Sequence, residues 1–277
     1  MRAVAVALIV LCGVAGPAAQ APPPLAFDVA SVKPAPPTRS MAESLTGLTR
    51  RSPGQWQLLG LTLQNAIVIA YPEFHLPGLL VGGPEWIKEA RFDLQARMSP
   101  AATHADVQMM FRHLLEDRFT LRTHVEQRTL DVYLLTLKTP GRFGPGLTPA
   151  PSACVVWRMT GGRLPDECDL YRRRGGEGAF TISAGTMSDL ISAMTLTAVA
   201  PPSMRMTSAI DRPVVDRTGL EGYFQFIGPS PMGGRGNAGS DGSFFTLLEE
   251  QLGLKLTRAR EIVNVLVIDS VSMPEPD

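Results

Sequence analysis

The sequence predicts an α+β fold: two tandem copies of a strand–helix–strand–helix–strand–strand unit, with antiparallel sheets and helices packed on one face. Three observations predict it. Residues 54–67 (GQWQLLGLTLQNAI) align without gaps on residues 178–191 (GAFTISAGTMSDLI). Residues 114–135 align without gaps on residues 247–268, setting LLED on LLEE and Val132 on Val265. Between these anchors, residues 83–94 resemble residues 212–226 with a three-residue insertion. A helix followed by a hairpin is common, so one match would mean little. Two gapless matches in the same order point to an internal repeat. Such units lay helices on one side of a small sheet and can share or abut their sheets.

The elements follow from local pattern. Residues 27–32 read as a short strand ended by Lys33-Pro34, and the polar, Pro-rich stretch to Pro53 as a loop. Gln55-Trp56-Gln57-Leu58 alternates as a half-buried strand does. Thr62 caps a helix whose apolar positions Leu63, Ala66, Ile67 and Ala70 fall at helical spacing. Pro72, Pro77 and Gly82-Gly83-Pro84 break the pattern into a loop, and residues 92–96 form the next strand. Thr103 and Asp106 make a capping box for a helix with Val107, Met110, Phe111, Leu114 and Leu115 on one stripe. Two strands are expected at 120–125 and 130–137, with a polar turn at Glu126-Gln127-Arg128 between them. Residues 141–151 are rich in Gly and Pro and read as a linker. The resulting division is 1–20 signal peptide, 21–53 N-terminal strand and Pro-rich loop, 54–140 first unit, 141–177 linker with a Cys pair, and 178–277 second unit.

Residues 1–20 carry the export expectation. Arg2 supplies a positive charge, 3–15 are apolar, and 16–21 are small and interrupted by Pro, the order of a secretory signal. The apolar run is about 13 residues, short of the roughly 20 that span a bilayer. Cleavage after Ala18 would leave an exported, periplasmic or extracellular chain with no membrane span. Leu11 precedes Cys12, where a lipoprotein signal wants a small residue. Loss of Cys12 leaves Cys154 and Cys168, an even pair bound for an oxidising compartment, and a disulfide between them is predicted. Closing that loop stabilises by roughly 3 kcal/mol in the chain-entropy treatment. Two thiols with no histidine nearby make a poor zinc site.

Composition narrows the partners. The 277 residues carry 26 basic and 26 acidic side chains, a formal charge of zero. No long-range field therefore draws nucleic acid or an anionic membrane. With 19% charged and 44% hydrophobic residues, the chain falls in the ordinary globular class. Its length suffices to bury a core without a structural metal.

FDVASVKP from Phe27, GGPEWIKEARFDLQA from Gly82, LLEDRFTLRTHVEQRTLDVYLLTL from Leu114, RPVVDRTGLEGYFQF from Arg212 and LLEEQLGLKLTRAREIVNVLVIDSV from Leu247 are distinctive in combination. In that order they resemble an uncharacterised soil-associated family of secreted proteins, of the Solibacter type and expanded in Acidobacteria. The resemblance spans essentially the whole chain after the signal. It implies a secreted domain of unknown activity. Related domains attached to sensor-type membrane metallopeptidases imply a sensing or interaction role. No catalytic residue is established for the family, so none carries over. After Tyr71 the chain departs from the family pattern, with YPEFHLPGLL in place of a shorter Gly-containing turn.

Motifs for chemistry are sparse. His104 and His113 lie on opposite faces of one predicted helix, and His113-x-x-Glu116 lacks the other ligands of a carboxylate-bridged metal site. His75 sits in a loop and His124 at a strand end. Asp216-Arg217-Thr218-Gly219 resembles an aspartic-protease Asp-Thr-Gly only until Arg217 interrupts it, and a turn is the better reading. The serines at 183, 188, 192 and 208 have no histidine nearby in sequence, and there is no Gly-x-Ser-x-Gly elbow. Residues 233–242 are Gly-rich but lack the Gly-Lys-Ser/Thr of a phosphate loop. Arg172, Arg173 and Arg174 form the one basic cluster, an anion contact or a solvated run. The expectation is a secreted, non-enzymatic binding or interaction module without a cofactor, its ligand an unknown protein or polymer met on loops 72–85 and 227–242. Two alternatives are a secreted hydrolase assembling a site from His113, Glu116 or Asp117, and a sensory ectodomain relative.

Overall fold

Alternating side chains in three segments build the first sheet. In β1 (Val29–Pro34), β3 (Gln55–Thr62) and β5 (Arg91–Arg97), the residues Val32, Leu58, Phe92, Leu94 and Ala96 point inward and are buried. Their neighbours along each strand point outward, as a period of two requires. These coordinates are a computed structural model, which describes residues 25–36, 51–52, 54–161, 163–170, 179–195, 210–229 and 244–275. Residues 1–20 (expected to be a signal peptide), Arg172–Arg174, Ser208 and the Gly-rich run at 233–242 lie outside them. The short β2 (Arg51–Ser52) completes an antiparallel sheet of order β1-β5-β3-β2.

Two helices cover its inner face. Thr62 accepts from the Asn65 N–H to start α1 (Leu63–Ala70), whose Leu63, Ala66, Ile67 and Ala70 are buried. The strand β4 (Leu80–Gly82) and the single turn α2 (Trp86–Glu89) lead to β5. The Thr103–Asp106 capping box opens α3 (His104–Phe119), which packs on α1 through a core holding Phe111, Leu115 and Phe119. Phe27 and Trp56 meet Phe111 edge-on, and Phe92 meets Phe119 likewise.

The predicted hairpin at Glu126-Gln127-Arg128 does not form. Residues 122–137 are one strand, β6 (Arg122–Leu137). Those three residues offer no Gly, Asn or Pro to reverse the chain tightly. Instead β11 (Leu254–Ser270) runs antiparallel beside β6, from Leu254↔Leu137 to Ile268↔Thr123, and supplies its backbone partners. The stretch is polar because much of this ribbon stands in solvent between two cores, not because it turns.

The segment expected to be a linker also carries structure. It contains β7 (Leu147–Pro149) and α4 (Ser152–Thr160). β7 joins β8 (Ala179–Gly185) and β10 (Phe224–Pro229) in a sheet of order β7-β10-β8. Helices α5 (Met187–Thr195) and α6 (Phe244–Leu252) supply Leu190, Met194, Leu248 and Leu252 to a second core. β9 (Val214–Asp216) pairs parallel with β6, and β4 pairs parallel with β11. The central sheet therefore has the order β4-β11-β6-β9, with parallel edges on an antiparallel ribbon.

The aligned sequence positions take matching places. The alignment of 114–135 on 247–268 sets Thr129 on Ile262, and these two residues face each other at the middle of the ribbon. The alignment of 54–67 on 178–191 sets Leu58 on Ile182 and Leu61 on Gly185. In β3 the register slips between Leu58↔Leu94 and Leu61↔Phe92; in β8 it slips between Ile182↔Phe226 and Gly185↔Phe224. The ribbon also exchanges its ends. Val265, Leu266 and Ile268 from β11 enter the first core, and Tyr133 and Leu135 from β6 enter the second.

Each helix-to-long-strand junction uses a left-handed residue: Thr120 (φ 50°) before β6 and Gly253 (φ 69°) before β11. A β-branched residue there carries a penalty of roughly 1–2 kcal/mol that Gly avoids. Thr120 is exposed, so Thr120→Gly loses no packing. It should stabilise the protein by about 1 kcal/mol, read as a rise in urea midpoint at constant m-value. An unchanged or lowered midpoint would count against strain at this residue.

Candidate functional site

The outward side chains of the first sheet form the candidate site. Register places Ser31, Gln95 and Gln57 in one row across β1, β5 and β3, and Val29, Arg97 and Gln55 in the next. These six line a groove of about 460 Å³. Gln55, Gln95 and Arg97 are exposed, Ser31 and Gln57 half-buried, and Val29 is 62% exposed. Among the described residues, none of the three glutamines and neither Ser31 nor Arg97 has a side-chain hydrogen bond or ion pair. Each glutamine brings an acceptor oxygen and two donors, and Arg97 five donors.

The corresponding face of the second sheet is occupied. The Ser183 hydroxyl donates to the Cys168 carbonyl, and the Gln225 amide lies 3.8 Å from Cys154 Sγ. Cys154 and Cys168 are joined, sulfur to sulfur at 2.07 Å, and pack with Ala184, Val155 and Leu164. Arg158 of α4 meets Asp189 of α5 at 2.8 Å. Partial burial opposes ionisation of Asp189. The Thr186 N–H and hydroxyl, and then Arg158, outweigh it and hold the carboxyl below its usual range. The disulfide-closed segment thus engages Ser183 and Gln225 on the second sheet's outer face, whereas Ser31, Gln55, Gln57, Gln95 and Arg97 on the first stay unspent.

A second cleft, of about 580 Å³, lies between residues 26–30 and α3 and includes Asp28, His113, Asp117 and Arg118. Three of its polar side chains are engaged. His113 Nδ1 is 2.7 Å from the Leu25 carbonyl, Arg118 reaches the Ala30 carbonyl, and Asp117 pairs with Arg118 at 3.3 Å.

The other sequence-flagged residues are dispersed. His75 Nδ1 meets the Pro72 carbonyl beside a pocket of about 50 Å³. Loop 72–85, expected to meet a ligand, contributes β4 to the edge of the central sheet. Its start is pinned by Arg112, which donates to the Ala70 carbonyl, pairs with Glu73 and lies over the Tyr71 ring. Loop 227–242 falls largely outside the described residues. His124 meets Asp269 across the ribbon at 2.8 Å. The side chain of His104 is not among those described. Asp216 accepts from the Thr218 N–H and Gly219 has φ 68°, the predicted turn. Among the described residues, no three His, Cys, Asp or Glu side chains converge to hold a metal ion, and no helix is long and apolar enough to cross a membrane.

Fold and groove together define a two-core α+β protein with, among the described residues, an uncovered polar sheet face. The chain belongs to the DUF3738 family, proteins of unknown function, which matches residues 64–271. No curated protein and no solved structure matches it.

Proposed function

We propose that this protein is an exported binding module, assembled from two copies of one unit, that holds its ligand on the outer face of the β1-β5-β3-β2 sheet. One observation carries the reading: five polar side chains in two rows, with their hydrogen-bonding capacity unspent. A rigid sheet positions them as a recognition surface requires. The buried Cys154–Cys168 disulfide supports export to an oxidising compartment. The resemblance to soil-associated, Solibacter-type proteins extends the reading to a secreted member of that group. Matching bulges, matching helix starts at Thr62 and Thr186, and the Thr129–Ile262 pair support the duplication.

Filling the groove tests the proposal. The exported chain and its Gln95→Trp variant are titrated calorimetrically with a panel of soluble glycans, peptides and small acids. At least one panel member should bind the parent chain, and Gln95→Trp should abolish that binding while leaving the unfolding midpoint in place. Binding retained in Gln95→Trp, or turnover of a hydrolase substrate with no panel member bound, would sink it.

A further inference from the structure

Resting on that reading, we infer that the groove takes a carboxylate-bearing, hydroxyl-rich chain: an acidic polysaccharide. Arg97 lies in the row Val29–Arg97–Gln55, on the central strand of the three, with no carboxylate partner among the described residues. A guanidinium grips a carboxylate through two parallel hydrogen bonds. The three glutamine amides and the Ser31 hydroxyl around it both donate and accept, which suits hydroxyl groups that do the same. Neighbouring strands stand about 5 Å apart and same-face residues along a strand about 7 Å apart. The two rows therefore offer a grid of polar groups on the scale of one sugar ring.

Other polymers fit less well. A peptide recognised by a sheet adds to its edge or fills apolar pockets, whereas this surface is a face, with Val29 the one apolar residue in its two rows and Trp56 and Ala96 lining it from the neighbouring positions. Single-stranded nucleic acid needs aromatic platforms and several phosphate contacts, whereas the two rows hold one cation and the one aromatic lining residue, Trp56, has its ring packed on Phe111. The second sheet shows what covering by the chain's own polypeptide looks like: an apolar contact centred on Ala184. The aligned position in β3 is Gly60, which has no side chain to pack and donates its N–H to Asp93. The chemistry of the first face is that of a hydrogen-bonding ligand rather than a packed helix.

The test titrates the exported chain with oligogalacturonate, a neutral cello-oligosaccharide and a poly-glutamate peptide. Arg97→Gln and Gln95→Ala probe the groove, and Arg260→Gln, on the ribbon, is the control. Oligogalacturonate should bind best and weaken with added salt. Arg97→Gln should lose about tenfold or more of that affinity, and Gln95→Ala several-fold; Arg260→Gln should match the parent. Preference for the neutral sugar or the peptide, or equal oligogalacturonate affinity in Arg97→Gln, overturns the acidic-sugar assignment. In that case the groove reading still stands if Gln95→Trp abolishes the binding that is seen. No binding of any probe here or in the wider panel overturns both.

Discussion

A chain ended after Asn264 should lose its first core while keeping its second. The truncation removes Val265, Leu266 and Ile268, which are 0%, 1% and 6% exposed in the first core. It also removes the parallel pairing of β4 with β11 and the Ser272 N–H bond to the Phe119 carbonyl. Deleting one buried aliphatic side chain costs about 2–5 kcal/mol. Three together rival the roughly 5–15 kcal/mol that hold a whole domain. Hydrogen exchange read by mass spectrometry should show residues 91–121 unprotected, with 179–195 and 244–254 still protected. Full protection of 91–121 would mean that the first core closes without the exchanged strand end. The point substitution Leu266→Ala should give the same pattern more weakly, at about 3 kcal/mol.

The second large effect lies at the disulfide. Replacing both cysteines, Cys154→Ala with Cys168→Ala, should destabilise the protein by about 3 kcal/mol. Both residues are fully buried against the outer face of the second sheet. The loop they close spans a sequence separation of 14. Urea unfolding should place the double variant and the chemically reduced parent chain at the same lowered midpoint. Coincidence of all three midpoints would show that apolar packing of α4 alone fastens the segment. Loss of this cover would also free Ser183 and Gln225, turning the second face into a polar surface like the first.

These expectations separate what was legible in the chain from what was not. Local grammar was readable: Thr62 and the Thr103–Asp106 box start helices where their spacing says they should, and α1 buries the four residues its periodicity selects. The α+β class followed from the same signals. The ribbon was misread because Glu126, Gln127 and Arg128 look like a turn when judged by polarity, and only the distant β11 explains why they remain extended. β7 went unseen because three residues among glycines and prolines carry no period, and its partner β10 lies far along the chain. The groove was hidden for a related reason. Gln55-Trp56-Gln57 and Asp93-Leu94-Gln95 do show which residues share a face. Ser31 meets Gln95 only through a register that local sequence does not encode. The flagged loops and histidines stand out by composition, whereas the polar sheet face is made by strand pairing.

The exchanged ends of the long strands also set an order of events during biosynthesis. The half made first cannot finish its interior by itself, because Leu266 and Ile268 are made long after Phe119 and Leu121. The later half closes earlier, once Leu254 reaches Leu135 and Tyr133. Until then an unfilled apolar seat waits near Phe119 and Leu121. A growing chain is therefore most prone to aggregate before residues 265–268 have been added.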